Sequence, residues 1–223
     1  MTIYKKMIFS FKETKELLLK YSLPTAKTIL LAGTKPIEGE LEKATGQVGF
    51  PLVLKVVSKD IAHRTELGLV EKDIKNIGEA KEAFFRLSKK PEALSCEGIL
   101  VQKQVKGIEF FCGLKRDKTF GPVLIFGLGG VFVEVLKDII FGLCPLSQKE
   151  ALDLIENIKG KKILDGFRGM PAVDKNALAC LLVKLSVLIS ENPQIMEADF
   201  NPIIASCRDI LIVDAKLTEG RPL

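Results

Sequence analysis

Acidic and amide side chains alternate along one short segment near the carboxyl terminus, M-E-A-D-F-N-P-I-I. Side chains two residues apart share one face of a strand, so Glu197, Asp199 and Asn201 are predicted to lie together. Asp214 follows in the apolar segment I-L-I-V-D-A-K, where a buried carboxylate needs a cation or a hydrogen-bond partner. Carboxylates and an amide oxygen, without histidine or cysteine, suit Mg²⁺ that also holds phosphate oxygens. The alternative is a solvent-facing acidic strand, with Asp214 in a salt bridge.

Two basic residues could meet such phosphates. Lys55 lies within the apolar run F-P-L-V-L-K-V-V, where an ammonium group is costly unless an anion meets it. The alternative is an edge strand from which Lys55 reaches water. His63, the only histidine in the sequence, lies in D-I-A-H-R-T-E-L-G. An imidazole held by a carboxylate such as Glu66 can accept and pass on a phosphoryl group, whereas a structural or incidental loop histidine is the alternative.

A glycine cluster, F-G-L-G-G, ends at Gly129 and Gly130. Its backbone N–H groups could cradle phosphate, and an ordinary turn is the alternative. Glu134, Lys137 and Asp138 then interrupt an apolar strand pair. These three side chains could reach a ligand or could form a solvated face.

The elements that must position these residues follow from periodicity and capping signals. Ser10 with Glu13 predicts a first helix that ends near Tyr21, and Ser147 with Glu150 begins a later helix. Two further helices are predicted, one within residues 74–87 and one after Asp174. Strands are predicted at 49–58, 98–105, 108–114, 122–126, 131–144, 195–204 and 209–217.

Strands and helices without regular alternation indicate an α+β protein with two lobes around a cleft. We expect a small lobe at residues 1–98 with the N-terminal helix, and a second lobe at residues 99–223 with the metal-binding strands.

The composition favours a globular protein that binds anions. The chain has 223 residues, 47% of them hydrophobic, and 33 basic against 28 acidic residues give a net charge of +5. The basic residues form no long run, so no nucleic-acid arm is expected. No segment resembles a signal peptide or a membrane span, and the five scattered cysteines suit a reducing cytoplasm. We therefore expect a cytoplasmic protein without a membrane partner.

Several motifs in this order resemble the β subunit, or ATP-grasp domain, of ADP-forming acetyl-CoA and other acyl-CoA synthetases. The resemblance extends from about Phe11 to Leu217. Its strongest motifs are G-F-P-L-V-L-K-V-V-S, D-I-A-H-R-T-E-L-G, G-L-K-R-D-K-T-F-G-P-V, F-G-L-G-G-V-F-V-E-V-L-K-D, G-F-R-G, D-F-N-P-I-I and V-D-A-K.

The resemblance implies ATP or ADP held between two lobes of an ATP-grasp fold. Lys55 would contact the phosphates and His63 would relay a phosphoryl group. Mg²⁺ would be bound by Asn201 and Asp214, with Asp199 as a further ligand. Adenine would contact the segment from Val101 through Gln102 to Val105, with Glu109 on the ribose and the glycines Gly129 and Gly130 near the phosphates. The implied reaction is acid + CoA + ATP giving acyl-CoA + ADP + phosphate, reversibly. The implied partner is a CoA-binding α subunit in an α2β2 heterotetramer.

Two departures from the family pattern leave a second function open. Gln102-Lys103 stands where the family usually has Gln-Glu, and Gly68-Leu69 stands where it usually has Gly-Gly. The first affects an adenine contact, and the second could stiffen the histidine loop. The alternative is a nucleotide-binding regulatory or scaffolding subunit with little turnover. A third hypothesis is an ATP-grasp carboxylate–amine ligase, which is disfavoured because such enzymes do not need the histidine loop.

Overall fold

The computed structural model describes residues 4–34, 39–58, 67–130, 138–166, 172–206 and 209–222. The helices in these ranges are α1 (Phe11–Lys20), α2 (Glu40–Val48), α3 (Ile77–Ser88), α4 (Gln148–Asn157) and α5 (Lys175–Glu191). The strands are β1 (Tyr4–Ile8), β2 (Thr28–Ala32), β3 (Leu52–Val57), β4 (Val70–Ile74), β5 (Gly98–Lys103), β6 (Ile108–Asp117), β7 (Gly121–Leu128), β8 (Ile139–Leu143), β9 (Ile195–Ala205), β10 (Ile210–Ile212) and β11 (Lys216–Pro222). This mixture confirms the α+β class.

The chain forms two compact units, and their boundary differs from the expected one at residue 98. The larger unit combines Met1–Thr25 with Val105–Leu223, and the smaller unit is Ala26–Gln104. The N-terminal helix therefore belongs with the second expected lobe. The physical reason is that β1 pairs along β11, while Leu18 of α1 is buried in the core of the larger unit.

The larger unit is built on a seven-stranded antiparallel sheet in the order β1-β11-β9-β6-β7-β8, with β10 paired to β9. Helices α4 and α5 pack together, and between them they contact β6, β7 and β8. The buried positions of β6 alternate with exposed or half-buried ones. The sheet thus has one face in the core and one face bearing polar side chains.

The smaller unit is a four-stranded antiparallel sheet in the order β2-β5-β3-β4, packed against α2 and α3. Leu52, Leu54 and Val56 of β3 are completely buried in its core. A central strand such as β3 has neighbours on both edges, which explains its nearly continuous apolar sequence.

Most predicted helix starts are confirmed. Ser10 and Ser147 each form a complete capping box, and Asp174 caps α5 through the N–H of Ala177. The strand predicted at 209–217 is instead two strands, β10 and β11, because residues 213–215 leave the ladder between them. The elements β1, β2 and α2 were not predicted, and the first part of the strand predicted at 131–144 lies outside the described residues. Among the described helices, none is long and apolar enough to cross a membrane.

A hydrogen-bond network joins the carboxyl ends of α1 and α5. The Arg116 guanidinium donates to the carbonyl of Ile189 at 2.6 Å, which satisfies an acceptor at the end of α5. The Tyr21 hydroxyl donates to Glu191 Oε2 at 2.8 Å and accepts from Asn192 Nδ2 at 2.8 Å. Desolvation raises the pKa of Tyr21, and the hydrogen bond to Glu191 raises it further.

This network predicts a pH-dependent contribution to stability above about pH 10. A folded-state pKa above the unfolded value means that folding holds the phenolic proton, so the contribution is complete below the unfolded pKa and is lost as pH rises through the folded pKa. We expect Tyr21→Phe to lower the free energy of unfolding by about 1 kcal/mol at pH 8, and by less at pH 11. Urea unfolding at both pH values measures this. Tyr4→Phe, which changes the other tyrosine, is the control, and an equal pH dependence in both variants contradicts the assignment.

Candidate functional site

The predicted alternation along β9 is confirmed. Ala198 and Phe200 are buried, whereas Asp199 and Asn201 are exposed on the opposite face. The register with β6 shifts between Phe110 and Cys112, so β9 carries an extra residue near Asn201. Glu197 shares the face of Asp199 but forms an ion pair with Lys6 of β1. Because Glu197 is already paired with a lysine, the candidate metal ligands on β9 are Asp199 and Asn201.

Asp214 lies close enough to Asp199 for their charges to interact. It precedes β11, whose Lys216 pairs with Asp199 in the sheet. The pKa of Asp199 is raised first by desolvation and then by the charge of Asp214, while Lys216 opposes the shift. Asp199 has an exposed side chain but lines a concave surface, which explains the desolvation. Two repelling carboxylates beside an amide oxygen fit a divalent cation that would relieve the repulsion.

This oxygen set is small. Within the described ranges, no group of three or more histidine, cysteine, aspartate or glutamate side chains is arranged to hold a metal ion. Asp199 and Asp214 with Asn201 instead supply two carboxylates and one amide. Mg²⁺ is commonly bound by one or two carboxylates plus substrate phosphates, so a small protein set fits a metal that arrives with a nucleotide.

A cavity of about 550 Å³ opens on the polar face of the larger sheet beside Asp199. Gly113 forms part of its floor, where a Cβ atom would meet nothing closer than Ile125 at 3.8 Å. The basic residues around it come from three strands: Lys6, Lys115 and Lys216. These lysines were not predicted as a group, because β1, β6 and β11 come together only through long-range strand pairing. Lys6 is already paired with Glu197, so Lys115 and Lys216 are the basic residues that could meet an anionic ligand next to Asp199.

Glu109, Gly129 and Gly130 are brought together in the larger unit. The N–H of Gly129 donates to the carbonyl of Glu109 at 2.7 Å. A Cβ atom at Gly129 would lie 3.1 Å from the backbone of Glu109 and Phe110, and one at Gly130 would lie 3.0 Å from Glu109 Oε2. Gly130 also has a φ of 61°. The absence of side chains at both positions lets the exposed Glu109 carboxylate sit over the glycine turn.

Asp138 has a structural role that differs from both of the roles predicted for it, a contact with a ligand and a place on a solvated face. It is buried, and its carboxylate accepts from the N–H groups of Lys159 and Gly160, both at 2.8 Å. The residue thus fixes the turn after α4 and is neither a solvated side chain nor one that reaches a ligand. Glu134 and Lys137 lie outside the described residues.

Lys55 is buried, with 5% of its surface exposed, in the middle of the smaller sheet. Because β3 lies between β5 and β4, the edge-strand alternative is wrong. Lys55 pairs with Leu100 in the ladder, and the next residues of β5, Val101 and Gln102, are also buried. Val101 belongs to the apolar core of the smaller unit, and β5 pairs with both β2 and β3, so its side chain and its backbone are already engaged and the predicted base contact by Val101 is wrong. Val105 is half-buried and begins the second segment of the larger unit.

The two departures from the family pattern have distinct structural roles in the smaller unit. The Lys103 ammonium donates to the carbonyls of Gly49 and Phe50, where α2 ends, so its charge meets the negative end of that helix. Leu69 is completely buried and its carbonyl accepts from the N–H of Val56. Lys103 therefore supports the backbone of the smaller unit, and Leu69 anchors the start of β4 in the core.

His63 lies outside the described residues. The chain enters its segment after Ser58 and returns at Leu67, and both flanking strands belong to the smaller sheet. The role of His63 therefore remains a prediction from the sequence.

Comparison with known proteins identifies the family to which this two-unit α+β chain belongs. A family model described as the ATP-grasp domain (ATP-grasp_5) matches residues 4–218. The chain is 39% identical to the β subunit of ADP-forming acetate–CoA ligase I from Pyrococcus furiosus over 92% of this chain and 89% of that one. The chain therefore belongs to the ATP-grasp family, and within it to the β subunits of ADP-forming acetyl-CoA synthetases.

Other relatives are much longer. ADP-forming acetate–CoA ligase II from Archaeoglobus fulgidus is 39% identical over 96% of this chain, which covers only 31% of that protein. A solved structure of dinucleotide forming acetyl-coenzyme A synthetase 1 from Ca. Korarchaeum cryptofilum has 34% identity and a TM-score of 0.80, covering 96% of this chain and 93% of that chain. It contains coenzyme A and Mg-AMPPCP, with a phosphohistidine segment pointing towards the nucleotide binding site.

Proposed function

We propose that this chain is the nucleotide-binding subunit of an ADP-forming acyl-CoA synthetase, acting in the reversible reaction acid + CoA + ATP = acyl-CoA + ADP + phosphate. The observation that carries the proposal is that Asp199 shares a face of β9 with Asn201 and lies within range of the charge of Asp214, beside a cavity that several lysines line. Oxygen ligands next to basic side chains suit a metal–nucleotide complex.

Each predicted site residue is assigned a role in the proposed reaction. Asp199, Asn201 and Asp214 would hold Mg²⁺, which would neutralise phosphate charge. Lys55 would hold phosphate oxygens through its ammonium group. Glu109 would accept hydrogen bonds from a ribose. Gly130 would let phosphates approach the backbone, while Gly129 beside it fixes the turn through its hydrogen bond to the Glu109 carbonyl. Gln102 and Val105 would contact the base. His63 would carry the phosphoryl group.

The partner would be a CoA-binding α subunit. A relative that this chain covers over 89% of its length is named a β subunit, which supports a second subunit as the partner. We infer that the two subunits form an α2β2 assembly in the cytoplasm.

The metal assignment predicts opposite effects on binding and stability. Asp199→Asn and Asp214→Asn should each weaken Mg²⁺-dependent ADP binding about tenfold, equivalent to about 1.4 kcal/mol. Without Mg²⁺, Asp199→Asn should raise the melting temperature, because it removes the repulsion between two like charges. Calorimetry with Mg-ADP and thermal unfolding without metal measure the two effects.

The matched control is Asp209→Asn, which removes an exposed aspartate from the turn before β10. It should leave Mg-ADP affinity unchanged. Unchanged affinity in both Asp199→Asn and Asp214→Asn contradicts the metal site. A melting temperature that falls in Asp199→Asn indicates a structural carboxylate instead.

A further inference from the structure

The outer strand of the larger sheet, β8, exposes three large apolar side chains on one face. Ile139, Phe141 and Leu143 are 45%, 59% and 60% exposed, and their spacing of two residues puts them side by side. We call these three residues the β8 strip. Their cross-strand partners include the half-buried Val123 and Ile125 of β7. Single exposed apolar residues are ordinary, but a contiguous apolar surface usually marks an interaction site.

The backbone of β8 is also suited to binding. Within the described part of the chain, β8 is the last strand of the sheet. Its sequence, I-I-F-G-L, contains no charged residue and no proline. Natural edge strands are normally protected by lysine, proline or a bulge, because a bare apolar edge recruits other strands. We infer that this edge is covered in the working protein.

We propose that the β8 strip binds an extended segment of the CoA-binding partner subunit, which adds a strand to the sheet. This inference rests on the proposed function, because that function supplies the partner. A relative that this chain covers over 89% of its length is named a β subunit, which supports a second subunit as the occupant. Such a subunit needs an exposed surface on this chain to which it can bind. The uncharged edge provides one.

The chemistry of the strip specifies the partner segment. Backbone hydrogen bonds along β8 would provide affinity, and apolar side chains at every second position would pack on the strip. The three side chains expose roughly 300 Å², which is the scale of a functional patch. A stable interface buries about 800 Å² on each partner, so the strip would form the apolar centre of a wider contact.

Phe141→Glu tests the proposal, because it places a charge in the centre of the strip without changing the core. The control is Phe85→Glu on α3, since Phe85 is similarly exposed at 63% but lies in the smaller unit. The purified CoA-binding subunit from the same organism is titrated into each variant by calorimetry. We expect at least about a hundredfold weaker binding for Phe141→Glu, and wild-type affinity for Phe85→Glu. Leu143→Glu should reproduce the loss.

Equal partner affinity in Phe141→Glu, Leu143→Glu and Phe85→Glu overturns the proposal. A concentration-dependent dimer of this chain that Phe141→Glu abolishes, with partner affinity unchanged, also overturns it in favour of a second copy. Mg-ADP binding by the isolated chain separates the two hypotheses. A wild-type chain that binds the partner through the strip but never binds Mg-ADP supports the docking surface and contradicts the nucleotide-binding function.

Discussion

His63→Asn is expected to abolish acyl-CoA synthesis in the complex with the CoA-binding subunit, lowering turnover by about a thousandfold or more. The reason is chemical: His63 is the only histidine in the sequence, so no other imidazole in this chain can carry the phosphoryl group. Labelled ATP should leave an acid-labile, alkali-stable phosphoryl group on the wild-type chain. The variant should carry no such label.

The Mg-ADP affinity of His63→Asn distinguishes the loss of a phosphoryl relay from a general loss of function. It should stay within a few-fold of the wild-type value in His63→Asn, because the histidine passes phosphate on and does not anchor the nucleotide. Thr65→Ala, in the same segment, is the control and should keep the label. A His63→Asn variant that turns over at nearly the wild-type rate rules out the relay. A wild-type complex that never labels and never turns over favours the regulatory subunit.

Lys55→Met is expected to weaken Mg-ADP binding about a hundredfold, equivalent to about 2.7 kcal/mol. Methionine keeps an unbranched apolar stem in the centre of the smaller sheet and removes the positive charge together with the N–H donors of the ammonium group. The sheet should therefore remain folded, as measured by circular dichroism. Calorimetry with Mg-ADP measures the loss of affinity.

The control for Lys55 is Lys72→Met on the neighbouring strand β4, where the lysine is exposed. It removes the same charge from the same unit and should leave affinity unchanged. Equal affinities for the two variants contradict a phosphate contact by Lys55. If Lys55→Met fails to fold, Lys55→Arg distinguishes a folding defect from a lost phosphate contact, because it should restore folding and part of the affinity.

Local sequence signals were sufficient to predict much of the fold and the polar face of β9. The capping boxes at Ser10 and Ser147 depend on residues three apart, and the alternation of Asp199 and Asn201 depends on strand periodicity. Both signals are contained within a few residues of sequence. Neither signal depends on tertiary contacts, so both features can be predicted from the sequence.

Long-range contacts account for what the sequence analysis missed. β1 is a short strand whose partner, β11, lies about 200 residues later, and this pairing places Lys6 beside Glu197. Whether Lys55 lay at an edge or in the centre depended on strand order, which periodicity does not give. Asp138 was misread because its two backbone donors lie about 20 residues away.

The anchoring of both ends of the histidine segment in one sheet sets a geometric limit. His63 is six residues beyond the end of β3 and seven before the start of β4, and these strands are antiparallel neighbours. At 3.3–3.6 Å per residue, even a fully extended chain places the Cα atom of His63 no farther than about 20 Å from the end of β3. The chain length therefore limits how far the imidazole can lie from the smaller sheet. In the proposed relay, any donor or acceptor of the phosphoryl group, including one in the partner subunit, must therefore lie within that distance plus the length of the histidine side chain.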